Sequence, residues 1–77
     1  MRYFFHLRGP GADVPDEEGV DLPSDSSARE RAVESARGIM AADMLEGRLV
    51  LSQRIDIEDR QGHPVLTLGF AEAFTQS

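Results

Sequence analysis

The side chains able to do chemistry in this 77-residue chain are two histidines and fourteen carboxylates, with no cysteine at all. Lack of a thiol excludes disulfides, thiolate metal sites and sulfur nucleophiles. His6 and His63 are far apart in sequence, and His63 stands in a turn ahead of Pro64, so each reads as a structural or solvated histidine rather than a ligand or catalyst. There is no phosphate-binding loop, no G-x-S-x-G elbow and no H-E-x-x-H, and "RGPG" lacks the strand-then-helix setting of a phosphate cradle. The chain is expected to be no enzyme and to need no cofactor and no metal. Asp13, Asp16, Glu17, Glu18 and Asp21 invite a calcium reading, but the alternating oxygen ligands and closing bidentate glutamate of such a loop are missing. They read instead as a solvated loop and edge strand, with Asp16, Glu17, Glu18 and Asp21 a candidate acidic contact surface. Asp43 falls in angle between Ile39 and Met40 on a helical apolar stripe. A carboxylate there needs a partner, so it is a candidate structural carboxylate tethered by Arg48, Arg54 or a backbone amide.

The elements that position these residues follow from periodicity. Apolar alternation predicts strands over 2–8, 18–22, 50–58 and 65–70. Between the second and third, Ser24 or the Ser27/Glu30 capping box opens a helix that Gly47 closes, giving a span of 25–46. Its stripe is Ala28, Ala32, Val33, Ala36, Ile39, Met40 and Met44, small at the start and bulky at the end. In the third strand Leu51, Ile55 and Ile57 face inward, and in the fourth Leu66, Leu68 and Phe70 do so. The tail 71–77 is short enough to fray. The fold class is α+β, with β-β-α-β-β order. One long helix covers one face of a small antiparallel sheet, the strands lie side by side as 2-1-3-4, and residues 1–77 form a single domain.

The opening strand "RYFFHLR" poses the main functional question. Tyr3, Phe5 and Leu7 point toward the helix, while Phe4 and His6 point away, ringed by Arg2, Arg8 and Arg54. An aromatic at the centre of a polar rim has the make-up of a contact surface, so Arg2, Phe4, His6, Arg8 and Arg54 form the candidate interaction face. A domain this small removes only about 60% of its unfolded surface from water, so a protein partner or a second copy would add stability.

A formal net charge of −6 argues against direct binding to a nucleic-acid backbone. No basic segment with an apolar stretch opens the chain, and no apolar run approaches the ~20 residues of a membrane span. A soluble, cytoplasmic protein is expected, with no membrane partner.

"RYFFHLR", "PDEEGVDLP", "ESARGIMAADMLEGR", "RIDIED" and "HPVLTLGF" together resemble a family of small bacterial domains of unknown function whose members open with a Y-F-F-H-L strand. That resemblance spans nearly the whole chain and implies no reaction, substrate or catalytic residue. The acidic "PD" turn and the A-x-x-x-A helix are also similar to HicB-type antitoxin domains, which cover basic toxins. The "PGC" segment of that pattern is missing here, as is room for a DNA-binding domain. The expected role is a non-enzymatic protein-interaction module acting through the open sheet face or as a homodimer. The alternative is an antitoxin-like acidic inhibitor of a basic protein.

Overall fold

Alternation begins at once, and in the computed structural model, which describes residues 1–75, it becomes the central strand β1 (Arg2–Gly9). Two short strands, β2 (Ala12–Val14) and β3 (Val20–Asp21), share one edge of β1. The other edge pairs with β4 (Arg54–Glu58), which in turn pairs with β5 (Pro64–Gly69). All pairings are antiparallel. The order β2-β1-β4-β5 is the one expected from sequence, with β2 and β3 together in the place of the second strand.

The helix α1 (Asp25–Leu45) starts where Ser24 takes extended backbone and its hydroxyl accepts the Ser27 amide, so Ser24 rather than Ser27 is the cap. Tyr3 ties β1 to this end: its hydroxyl donates to Asp25 Oδ1 at 2.6 Å. That hydrogen bond, then burial, then the Asp25 charge push the phenol up to about 12. Ala28, Ala32, Val33, Ala36 and Met40 of α1 meet Tyr3, Ile55, Ile57 and Leu68 from the sheet, and the small alanines allow close approach. Phe70 and Ala73 of α2 (Phe70–Thr75) complete the core. The Arg37 Nε donates to the Ala73 carbonyl at 3.0 Å and Arg29 pairs with Glu72, which fastens α2 to α1.

Several boundaries differ from expectation. The strand expected over 18–22 shrinks to Val20–Asp21, and β2 is additional. The strand expected over 50–58 begins only at Arg54, because the β1–β4 ladder ends at the Arg8–Arg54 pair and residues 50–53 have no ladder partner on β1. Ser52 and Gln53 instead pass so close to Gly9 that a Cβ there would lie 2.8 Å from Gln53 Cα. Leu51, expected inward, is therefore exposed, and so is Met44, because α1 outruns the sheet. Its 21 residues extend about 31 Å, against about 17 Å for the five residues of β4. Phe70 begins α2 instead of ending a strand. Of the tail expected to fray, 71–75 is helical, and residues 76 and 77 lie outside the described residues.

Candidate functional site

Register decides what shares the face of β1 turned away from α1. Phe4 lies opposite Glu58, His6 opposite Asp56 and Arg8 opposite Arg54, and Thr67 of β5 stands beyond Asp56. This register places Arg2, Phe4, His6, Arg8 and Arg54 on the same side of the sheet. The chain itself covers the centre of this face, while Arg2, Phe4 and Arg8 stay half-buried and Arg54 exposed. His6 is only 8% exposed, the only charged or polar residue buried among those described.

The cover is the segment 15–19, which bridges β2 and β3. The Asp16 amide donates to His6 Nδ1 at 3.0 Å, so this nitrogen must carry a lone pair and the ring proton sits on Nε2. Nε2 in turn faces Glu58 Oε1 at 3.1 Å, and donates to it. The Asp16 side chain does the rest: Oδ2 accepts the Phe5 amide at 3.1 Å, and Oδ1 accepts the amides of Glu18 at 3.2 Å and Gly19 at 3.1 Å. Where β2 has ended and β3 has not begun, a carboxylate thus stands in for the missing strand carbonyl on β1. Burial pushes Asp16 up. The amides of Phe5, Gly19 and Glu18 and the neighbouring His6 outweigh it and hold the carboxyl below its usual range. Gly19, at φ +75°, sits against the Phe4 ring so closely that a Cβ would meet Phe4 Cε2 and the Tyr3 carbonyl oxygen, both at 2.9 Å.

The remaining charges on this face are also matched. Arg8 pairs with Asp13 and, at 3.8 Å, with Asp56, and Asp56 takes Arg54 Nε at 3.2 Å and the Thr67 hydroxyl at 3.0 Å. Arg2 lies 3.9 Å from Asp21. Of the acidic contact surface, Asp16 turns inward onto amides, while Glu17, Glu18 and Asp21 stay exposed. His63 is solvated beside Asp59, whose carboxylate accepts the Gln61 and His63 amides at 2.9 Å and closes the β4–β5 turn. The His63 amide is the main cause that holds Asp59 below its usual range. The two histidines are not brought together, and no three histidine or acidic side chains among the described residues could hold a metal ion.

Asp43 has Arg48 as its partner at 3.8 Å, and Glu46 Oε2 accepts from the same guanidinium at 3.3 Å. Around this trio lies a region that reading for chemistry passed over. Leu7, Pro10, Ile39, Val50 and Gln53 join Asp43 and Arg48 in lining a groove of about 330 Å³. Arg48 also borders a second depression, with Met44, Gly47 and Leu49. Leu45 is 91% exposed, and Met44, Leu49 and Leu51 are exposed as well. The clue in sequence is "LEGRLVLS", an apolar run that continues past its own helix stop.

The model of a family described as a domain of unknown function (DUF6894) matches residues 2–71. No curated protein and no solved structure matches the chain. No helix among the described residues is long and apolar enough to cross a membrane.

Proposed function

We propose that this chain, which belongs to the DUF6894 family of domains of unknown function, acts as a non-enzymatic protein-interaction module. The observation that carries this reading is the exposure of Met44, Leu45, Leu49 and Leu51 in and just after the last turn of α1, where Met44 and Leu49 line a depression that shares Arg48 with the groove. A chain this short gains from covering such a surface. The contact surface moves from the sheet face to the helix end, because Phe4 and His6 are already packed by residues 15–19. Charge disfavours a phosphate backbone as partner. The acidic-inhibitor alternative retains Glu17, Glu18 and Asp21, but Asp16 serves β1.

The test compares Leu45→Ser/Leu49→Ser with Phe4→Ser. The first should lose its co-purifying protein from native cells and melt like wild type. The second should keep the protein but melt lower. Loss of the partner only with Phe4→Ser would return the contact to the sheet.

A further inference from the structure

We propose that the groove at the C-terminal end of α1 receives a basic, apolar segment of a partner protein. The inference rests on the interaction-module reading and adds the chemistry of the partner. Leu7, Ile39 and Val50 line the groove and Met44 and Leu49 continue it, so the occupant must bring apolar side chains.

Its charge follows from the helix end. A helix C-terminus carries the negative end of the macrodipole and is normally matched by Lys or Arg in the last turn. Here the last turn holds no basic residue. Asp43 lies within it and Glu46 caps it, both at the unfavourable end, and Arg48 alone is shared between them. The end of α1 is therefore apolar with a rim on which Arg48 offsets only one of two carboxylates, leaving it net negative. A cationic side chain from outside would supply what the chain lacks.

A second copy fits less well. Pairing this end with itself would bring two helix C-termini, two Asp43 and two Glu46 together, on chains that each carry a net charge of −6.

Two synthetic peptides are the probes, one of lysine and leucine at helical spacing and one of glutamate and leucine in the same pattern. The lysine peptide should saturate at one per chain and shift the backbone amide resonances of residues 43–51. Glu46→Lys should weaken it about tenfold, as should raising salt from about 0.05 to about 0.5 M, whereas Glu17→Lys/Glu18→Lys should leave it unchanged. Equal binding of the glutamate peptide at the groove would overturn the charge inference and leave the module reading standing. So would loss of binding with Glu17→Lys/Glu18→Lys alone, or sedimentation showing a dimer that Leu49→Ser dissolves. If neither peptide shifts residues 43–51 and Leu45→Ser/Leu49→Ser keeps its partner in extract, both readings fall.

Discussion

The outward face of β1 and the C-terminal end of α1 are opposites in how the chain treats its own chemistry. At β1 a histidine, several arginines and several carboxylates meet, and every group finds a partner within the domain. His6 is sealed between Asp16 and Glu58, and Phe4 lies under Gly19. At the end of α1 the side chains are mostly apolar, yet Leu45 is left at 91% exposure. Polar character on a surface is thus a poor guide to where a partner docks. Hydrogen bonds can be completed locally by a five-residue loop, whereas apolar surface can be removed from water only by covering it with more protein. The domain has enough chain for the first task, and its helix outruns the sheet that would perform the second.

The largest perturbation tests what both regions stand on. Ala36 is fully buried, and Ala36→Glu should lose the cooperative melt in circular dichroism, since an unpaired buried charge costs about 4 kcal/mol or more. A variant that melts like wild type would misplace the face of α1.

Next come the two residues that close the β1 face. Gly19→Ala would force a Cβ into the Phe4 ring at positive φ and should cost about 2 kcal/mol, read from the urea midpoint. Asp16→Ala removes the acceptor of three amides and should also cost about 2 kcal/mol, its part exposure holding the figure down. Because the folded state depresses the Asp16 carboxyl, its contribution is complete above the ordinary carboxylate pKa and is lost as pH falls through the lowered folded value. Asp59 follows the same sign, so Asp16→Asn should flatten the acid limb of Tm against pH only in part, and the remainder should go with Asp59→Asn.

The smallest effect is expected at the other region. Leu45→Ser should change stability by less than about 0.5 kcal/mol. A loss as large as that of Asp16→Ala would erase the contrast between the two regions.

Much of the fold could be read from sequence because the relevant codes are local. Ser24 and Gly47 bracket α1, the alanine stripe marks its buried face, and period-two alternation identifies β1, β4 and β5. The facing of Tyr3 inward and Phe4 and His6 outward is likewise plain from the alternation. What covers Phe4 and His6 could not be read, because the cover depends on a carboxylate taking a strand's place, and a polar loop has the same composition whether it lies on a sheet or in solvent. The run "LVLS" misleads for a related reason. Alternation makes a strand only where a neighbour offers a ladder, and β1 has ended at Gly9 before residues 50–53 could use it. The groove at the end of α1 was missed since it depends on the relative lengths of helix and sheet, which no window of residues contains.

One bond at β1 leaves a distinctive trace. The Phe5 amide hydrogen is held by a titratable side chain rather than by a strand carbonyl. Its exchange with deuterium is therefore governed by how often the segment 15–19 lifts, not by how often the sheet opens. After correction for the intrinsic rate, protection at Phe5 should collapse in acid as Asp16 takes up its proton, while protection at Ile57 in the β4–β5 ladder persists. A single amide would then measure the opening free energy of the loop separately from that of the domain.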